Sequence, residues 1–451
     1  MAPAHHEISS KTATKSAETT TGRSPDERLG PGLTRRSVLK SLTAAAGAAA
    51  LSPILGGNVA QAQKFAVKAS ALKLKGGNPC WYGFNLLEYF STDPDWMKYF
   101  PYKDDGLFLE DDFRWMRDWG FNFARLPMDY RFWTDPNDLM KINEQKVEPI
   151  DRAIRLGEKY GVHVSICLHR APGFCVLDGM DAAVTGIHVT PEKTSFYKDP
   201  HMLDAFVLQW KFFAQRYKGI SNERVSFNLV NEPFLPLTPA ERTQLKESRK
   251  NEPQAAIDRE IEARGEKEYA RIARAAIDGI RPIDAQRLIV SDGCSGGVTP
   301  VADLFSTGVL QSPHDYYPPE LTHYQCEWAR GWVTRSEPPT WPLKDEHGKV
   351  VADRQTVEGF VRSWREFKPH GVPIHFGEMG CYRHTPPEVV LAWFNDTLDV
   401  ISELGSGWAL WNFRGPFGVL DTERPGTKYQ DWHGHQLDRP LLDLLRRKMK
   451  S

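Results

Sequence analysis

Two glutamates, Glu232 and Glu378, each follow a short apolar segment of the chain. The segments read Phe227-Asn228-Leu229-Val230-Asn231-Glu232-Pro233 and Pro373-Ile374-His375-Phe376-Gly377-Glu378. Two carboxylates at the carboxyl ends of buried barrel strands can hydrolyse a glycosidic bond, because one protonates the leaving oxygen while the other assists at the anomeric carbon. At a gap of about 5 Å the second carboxylate is a nucleophile, and at about 6.5–9.5 Å it activates water instead. The sequence leaves this gap open.

Five further polar or aromatic residues fall at the ends of predicted strands: Arg125, His169, His314, Tyr316 and Trp411. An arginine beside a nucleophilic carboxylate keeps the carboxylate ionised and oriented. His314 and Tyr316 are two residues apart on a strand, so both can face the site, with Tyr316 donating to the nucleophile. The histidines could bond sugar hydroxyls, and Trp411 could stack on a sugar ring. The structural alternatives are a rim ion pair, satisfied histidines and core packing.

The elements that would position these residues alternate between strand and helix. The predicted strands span residues 81–85, 121–127, 162–169, 225–230, 287–291, 309–316, 374–378 and 408–412, and the predicted helices span residues 112–119, 147–160, 203–217, 257–280, 356–367, 387–404 and 441–449. Eight short apolar strands separated by helices predict an α/β fold, a single (β/α)8 TIM barrel. A doubly wound sheet is disfavoured, because no Gly-x-Gly-x-x-Gly follows the first strand.

The first 62 residues are predicted to precede the folded domain, as a disordered tail followed by a signal peptide. Thr34 to Lys40 contains the pair Arg35-Arg36, an apolar run follows, and Ala60-Gln61-Ala62 resembles a cleavage site. We therefore predict that the twin-arginine (Tat) machinery exports residues 63–451, the catalytic domain, to the periplasm or the medium. The alternative is a chance arginine pair before an alanine-rich helix. The apolar run is too short and too interrupted for a stable membrane span.

Composition narrows the class of protein further. The 451 residues carry a formal net charge of −1, so the overall charge gives no electrostatic attraction to nucleic acid. The 14 tryptophans suit a protein that binds flat ligands by stacking. Six cysteines occur without a Cys-x-x-Cys pair, which disfavours a zinc knuckle. Export of an already folded protein disfavours disulfides, although a Cys167–Cys175 bridge stays open. We predict no cofactor and no metal.

Taken together, these residues and their order make the sequence resemble glycoside hydrolase family 5. The resemblance covers most of residues 75–445 and rests on Arg125, His169, Asn231-Glu232-Pro233, His314-Asp-Tyr316, Gly377-Glu378 and Trp411. It implies that Glu232 is the acid/base and Glu378 the nucleophile. It also implies that Asn231 bonds the sugar 2-hydroxyl, that Arg125 and Tyr316 hold Glu378, and that His169, His314 and Trp411 line the subsite. Many members have an acidic residue where this chain has Cys167.

The resulting hypothesis is an exported, retaining β-glycosidase that acts on a β-linked oligo- or polysaccharide, best a β-glucan. Mannan, a β-1,3-glucan and a glycolipid glycan remain open as substrates. So does the choice between endo and exo action, because insertions at 234–251 and 318–351, the second carrying Trp328, Trp332 and Trp341, could close the cleft. A non-catalytic carbohydrate-binding barrel and a metal-dependent hydrolase are the alternatives. The first would not need both glutamates, and the second would need more histidines or aspartates at strand ends.

Overall fold

The computed structural model describes residues 74–75, 78–99, 107–178, 191–235, 237, 239–331 and 333–450. The prediction of a tail and signal peptide over residues 1–62, and the prediction for Trp332, lie outside these residues. In the described part of the chain, no helix is both long and apolar enough to cross a membrane.

Eight parallel strands form a closed ring in this part of the chain, which confirms the predicted (β/α)8 barrel. Hydrogen bonds link seven of them in the order β6-β5-β4-β3-β2-β1-β8. The strands are Tyr82–Asn85 (β1), Phe123–Asp129 (β2), His163–Ala171 (β3), Val225–Asn228 (β4), Ile289–Asp292 (β5), Leu310–Ser312 with its continuation His314–Asp315 (β6), Glu378–Met379 (β7) and Trp408–Leu410 (β8).

The seventh strand closes the ring between β6 and β8. Ile374 bridges Gln311 on β6, and Phe376 bridges Trp408 on β8. Further along, His314 pairs in register with Glu378. The pairing with β6 therefore places the side chains of His314 and Glu378 at the same level of the barrel. Proline interrupts the sixth strand at Pro313 because it has no N–H to donate to a neighbouring strand.

Helices cover the outside of the barrel. They are Glu110–Trp119 (α1), Glu148–Tyr160 (α2), Pro200–Arg216 (α3), Gln254–Ile280 (α4), Arg354–Arg365 (α5), Pro387–Leu404 (α6) and Arg439–Lys448 (α7), and a 3-10 turn, Ala302–Thr307, lies between β5 and β6. Gly120 ends α1 in the left-handed conformation with φ of 93°, a conformation that costs glycine little. Asp353 and Thr356 begin α5 with a reciprocal capping box.

The insertions and loops carry smaller elements. Short helices span Pro94–Met97, Pro239–Ser248, Cys294–Gly297 and Pro319–Thr322; 3-10 turns span Tyr130–Phe132, Glu144–Val147, Glu327–Ala329 and Lys368–His370; short strands span Leu74–Lys75, Asn78–Pro79, Thr134–Asp135, Asp138–Ile142, Phe174–Cys175, Leu343–Lys344, Val350–Ala352, Gln430–Trp432 and His435–Leu437.

The amino-terminal end of the barrel interior is filled with rings. Trp81 stacks on His163 with a centroid distance of 4.0 Å, and Phe123 lies 4.4 Å from His375. Burial lowers the pKa of both histidines to about 3, so they are neutral and pack as flat rings. Since this end is closed, the polar side chains of the interior collect at the opposite, carboxyl end.

Candidate active site

Glu378, at the end of β7, receives a hydrogen bond on each carboxylate oxygen. Arg125 Nη1 donates to Oε1 over 2.5 Å, and the Tyr316 hydroxyl donates to Oε2 over 3.0 Å. Burial raises the pKa of Glu378 and the charge of Glu232 raises it further, while His314 and Arg125 oppose this. Because Arg125 and Tyr316 both donate to Glu378, their hydrogen bonds favour its ionised form.

Arg125, almost completely buried, is the hub of a polar network across the barrel. Its guanidinium reaches side chains from five other strands or strand ends. The acceptors are Asn85 Oδ1 at 3.0 Å, Cys167 Sγ at 3.1 Å, Asn228 Oδ1 at 2.7 Å, Asn231 Oδ1 at 2.8 Å, Asp292 Oδ2 at 3.3 Å and Glu378 Oε1 at 2.5 Å. The planar fork of arginine suits this task, because its five N–H groups point in fixed directions. A buried charge with so many acceptors holds Glu378 in one place.

Glu232, just beyond β4, has an unusual backbone. Its φ is 45°, in the left-handed region that residues other than glycine seldom adopt. Its N–H donates to Asp292 Oδ2 over 3.2 Å, and its side-chain Oε1 lies 3.0 Å from Nδ1 of His314. A strained backbone persists when surrounding contacts hold it. Here those contacts aim the carboxyl group into the carboxyl end of the barrel.

His314 lies between carboxylates. Its Nδ1 is 3.0 Å from Glu232 Oε1, and its Nε2 is 3.2 Å from Asp292 Oδ2. Burial alone would lower the pKa of His314, but the charges of Glu378 and Asp292 outweigh burial and raise it to about 10. Burial likewise opposes the ionisation of Asp292, yet His314 and Arg125 lower its pKa to about 2. At neutral pH His314 is therefore an imidazolium that lies between the Asp292 carboxylate and the carboxyl group of Glu232.

The structure supplies the carboxylate gap that the sequence left open. One carboxylate oxygen of Glu232, one of Glu378 and a ring nitrogen of His314 all lie within 4.8 Å of one another. Both glutamates are about 95% buried. This close approach favours the short gap of about 5 Å, at which the second carboxylate attacks carbon, over the wider gap that admits a water.

The same three side chains raise the question of a metal ion. In the described part of the chain they form the one cluster of three potential ligands within ligating distance of one another. Both ring nitrogens of His314 already face carboxylates, and a protonated imidazole has no lone pair for a metal. The cluster therefore fits hydrogen bonding between charged groups better than it fits metal binding.

His169 and Trp411 form a cluster of rings with Phe90. Their ring centroids are 5.7 Å apart, and the Phe90 ring contacts His169 at 4.5 Å and Trp411 at 5.3 Å. Burial, with Arg125 nearby, lowers the pKa of His169 to about 3, so this histidine is neutral and can both donate and accept. The structure thus brings Arg125, Asn231, His314 and Tyr316 into one hydrogen-bonded network with Glu232 and Glu378, while His169 and Trp411 pack around Phe90. The roles assigned to these residues from the sequence stay predictions.

Reasoning from the sequence missed four members of this network: Asn85, Cys167 as a partner of Arg125, Asn228 and Asp292. Asn85 donates to the carbonyl of Gly377 over 3.0 Å, and Asn228 donates to Asp292 Oδ1 over 2.8 Å. Asn85 ends a predicted strand and Asp292 directly follows one, and that position was the available signal. Asn228 and Cys167 lie within predicted strands and carried no such signal. Cys167 Sγ accepts from Arg125 over 3.1 Å, so a thiol contacts the arginine.

Trp328 and Trp341, in the insertion after β6, have structural partners. Trp328 lies 5.3 Å from Trp96 and 5.2 Å from Tyr382, and Trp341 donates to Asp396 on α6 over 2.9 Å. Trp341 thus anchors the insertion to the outside of the barrel. The Trp96–Trp328 contact joins the segments that follow β1 and β6. All six cysteines are free thiols, so the Cys167–Cys175 bridge does not form.

Comparison with known proteins agrees with this geometry. The model of the cellulase family, glycosyl hydrolase family 5, matches residues 77–415. Cellodextrinase A of Ruminococcus flavefaciens is 31% identical over 67% of this chain and 77% of its own length. Endoglucanase C of Acetivibrio thermocellus is 20% identical over 69% of this chain and 85% of its own length.

Solved structures show the same fold. The crystal structure of a glycoside hydrolase superposes with a TM-score of 0.65 at 32% identity, covering 82% of this chain and 99% of the other. Thermotoga maritima Cel5A in complex with mannotriose gives a TM-score of 0.56 at 20% identity, covering 81% and 97%. The chain therefore belongs to glycosyl hydrolase family 5 and is a glycoside hydrolase.

Proposed function

We propose that this protein hydrolyses β-1,4-linked glucan chains or their oligosaccharides with retention of configuration, using Glu378 as the nucleophile and Glu232 as the acid/base. One observation carries the assignment of roles. Arg125 and Tyr316 donate to both oxygens of Glu378, whereas Glu232 faces His314, and the two carboxyl groups approach within 4.8 Å. The glutamate with two fixed donors is suited to stay ionised and attack, and the other is suited to carry the proton.

In the first step the Glu378 carboxylate attacks the anomeric carbon. The bond from that carbon to the glycosidic oxygen breaks, and its electron pair stays on the oxygen, which takes the proton of Glu232. The leaving sugar departs with a hydroxyl group, and the glycone remains as an ester of Glu378. Glu232 is then ionised.

In the second step a water molecule attacks the anomeric carbon from the opposite side to the ester. Glu232 accepts a proton from the water, and the bond between the anomeric carbon and Glu378 breaks with its electron pair returning to the carboxylate. Two inversions at one carbon give net retention. Both glutamates then have their starting charges.

The remaining side chains would bind the sugar. Asn231, held by Arg125 over 2.8 Å through its Oδ1, keeps its amide N–H groups for a hydroxyl. His169 is neutral and can donate or accept, and Trp411 offers a ring face of the kind that stacks on sugars. We assign these three residues to the sugar that becomes attached to Glu378.

The proposal of a β-1,4-glucan rests on the names of two relatives, an endoglucanase and a cellodextrinase. The first name denotes internal cleavage of a polymer and the second denotes action on short chains. Endo and exo action therefore remain the two outcomes that an experiment on products must separate.

The test compares wild-type protein with Glu378→Gln on cello-oligosaccharides, soluble β-1,4-glucan, mannan, β-1,3-glucan and a β-linked glycolipid glycan. Wild-type protein should release sugars from the β-1,4-glucans, and proton NMR should detect the β-anomer first. Glu378→Gln should bind these substrates but turn over at least a thousandfold slower. Glu266→Gln is the matched control: this glutamate, on α4, accepts from the Ala302 N–H and lies outside the site.

Product size then separates the modes of action. A ladder of oligosaccharides means endo action, and glucose or cellobiose alone means exo action. Near-normal turnover by Glu378→Gln would refute the assignment of the nucleophile. Binding without release on every substrate would favour a carbohydrate-binding barrel over an enzyme.

We also propose that the twin-arginine route exports the protein, which would place it beside extracellular or periplasmic glucans. The support is the order of features in the sequence: Arg35-Arg36, an apolar run, then Ala60-Gln61-Ala62. Replacing both arginines by lysine should retain the protein in the cytoplasm with residues 1–62 attached. Unchanged export of this variant would refute the route, though not the activity.

A further inference from the structure

Asp292, at the end of β5, is a completely buried carboxylate to which the mechanism above gives no role. Its Oδ2 accepts from the N–H of Glu232 over 3.2 Å and lies 3.2 Å from Nε2 of His314. The same oxygen is 3.3 Å from Nη2 of Arg125, and Oδ1 accepts from Asn228 over 2.8 Å. Asp292 thus contacts the backbone of the proposed acid/base and the two cations of the site.

A chain of charged groups runs from Asp292 through His314 to Glu232. The imidazole presents Nε2 to Asp292 and Nδ1 to Glu232 Oε1. We propose that Asp292 is a positioning residue that orients His314 and holds Glu232 in its strained backbone, and that its negative charge helps Glu232 to keep the catalytic proton. This inference rests on the proposed role of Glu232 as acid/base.

Counting charges explains why the site would keep one proton, and the two donors to Glu378 favour Glu232 as the carboxyl group that holds it. With every group ionised, Glu232, Glu378 and Asp292 carry three negative charges, and Arg125 and His314 carry two positive charges. One bound proton therefore makes the buried site neutral, which a low-dielectric interior favours. Without the charge of Asp292, Glu378 and Glu232 would still favour a protonated His314. The site would then be neutral with Glu232 ionised, and Glu232 would lose its proton at lower pH.

The other titratable groups that face this site are neutral near pH 7. On β3, burial raises the pKa of Cys167 well above its usual value, and burial with the Arg125 charge lowers the pKa of His169. Burial also raises the pKa of Tyr269, which reaches in from α4 and bonds Ser291 over 3.0 Å. The hydroxyl of Tyr316 donates to Glu378. None of these groups alters the count of charges.

The test is Asp292→Asn, which keeps the volume of the side chain and removes its charge. With phenyl β-cellobioside, whose leaving oxygen needs a proton, kcat/KM should fall about tenfold or more. With dinitrophenyl β-cellobioside, whose leaving group needs no proton, kcat/KM should fall no more than about threefold. The alkaline limb of the pH profile should move about one pH unit lower, because Glu232 loses its proton more readily.

Asp315→Asn is the matched control. Asp315 is also completely buried at the end of a strand, next to His314 in the chain, but its Oδ1 accepts from the N–H of Tyr317 over 3.0 Å. This variant should keep the wild-type pH profile and the wild-type ratio between the two substrates. An equal loss of kcat/KM on both substrates in Asp292→Asn, with an unmoved alkaline limb, would reduce Asp292 to a structural residue and overturn the proposal.

A measurement on the wild-type protein tests the proposal even if Asp292→Asn does not fold. Nitrogen NMR of histidine-labelled protein should show both ring nitrogens of His314 protonated at pH 8, and a neutral ring there would overturn the proposal. The proposed function fails separately, if wild-type protein releases no sugar or if Glu378→Gln retains turnover. An active wild type, an inactive Glu378→Gln and an unaffected Asp292→Asn would refute only the role of Asp292.

Discussion

The hydroxyl of Tyr316 makes a contact whose removal has a calculable effect. It donates to Oε2 of Glu378 over 3.0 Å inside a buried site. A hydrogen bond to a charged group contributes about 1.5–3 kcal/mol. Tyr316→Phe removes that bond from ionised Glu378, and the loss corresponds to a fall of about 10- to 150-fold in kcat/KM. Arg125 still donates to the other oxygen, so activity should fall without disappearing.

The pH profile gives the same prediction a second readout. A donor to the ionised form of a carboxylate lowers its pKa, so the loss of Tyr316 as a donor should raise the pKa of Glu378 by about one to two units. The acidic limb of kcat/KM should therefore move to higher pH, while the alkaline limb, which reports the acid/base, stays in place. Initial rates on an aryl β-cellobioside between pH 4 and 9 measure both limbs.

Tyr89→Phe is the control for the loss of a buried hydroxyl. Tyr89 has the same 7% exposure as Tyr316, but its hydroxyl donates to the carbonyl of Lys146 over 3.1 Å, away from Glu378. The two variants should melt at similar temperatures, and only Tyr316→Phe should lose activity. A Tyr316→Phe enzyme with kcat/KM within twofold of wild type and an unmoved acidic limb would refute this reasoning.

Three further predictions concern the charges of the barrel. Arg125→Lys should lower kcat at least a hundredfold, because one ammonium cannot reach the six acceptors of the guanidinium; steady-state rates near wild type would contradict this. Dialysis against a chelator should leave kcat unchanged, because both nitrogens of His314 face carboxylates; lost activity that a divalent metal restores would show otherwise. Burial raises the pKa of Asp315 to about 7, above its unfolded value of about 3.9. As the pH rises from about 3.9 to about 7, the free energy of unfolding therefore falls, by at most about 4 kcal/mol, because the folded protein resists ionisation of this carboxyl group. Asp315→Asn should therefore raise the melting temperature more at pH 9 than at pH 5, and an equal effect at both pH values would contradict the buried ionisation.

Much of the barrel could be predicted from the sequence because the alternation of apolar strands and amphipathic helices is regular. The prediction for residues 387–404 matches the observed helix Pro387–Leu404. The sixth strand was predicted as one segment, 309–316, but Pro313 divides it. The seventh strand was predicted over 374–378, whereas continuous pairing occurs at Glu378–Met379, with single bridges at Ile374 and Phe376.

The candidate site was predictable only where residue type suggested chemistry. Carboxylates, histidines and aromatic residues at strand ends identified Glu232, Glu378 and their neighbours. Asn85, Asn228 and Asp292 are common polar residues, and their importance depends on which strands adjoin and on how deep each side chain lies. Asp292 and Arg125 are 167 residues apart in the chain, and only the closed ring of strands brings them together.

Trapping the covalent intermediate tests the central claim most directly. A dinitrophenyl β-cellobioside with fluorine in place of the sugar 2-hydroxyl should react once and accumulate as an ester, because the fluorine slows hydrolysis more than attack. Intact mass should increase by one fluorosugar, and peptide mapping should place the label on Glu378. A label on Glu232 or on another residue, or turnover of this substrate with inversion and no label, would contradict the account.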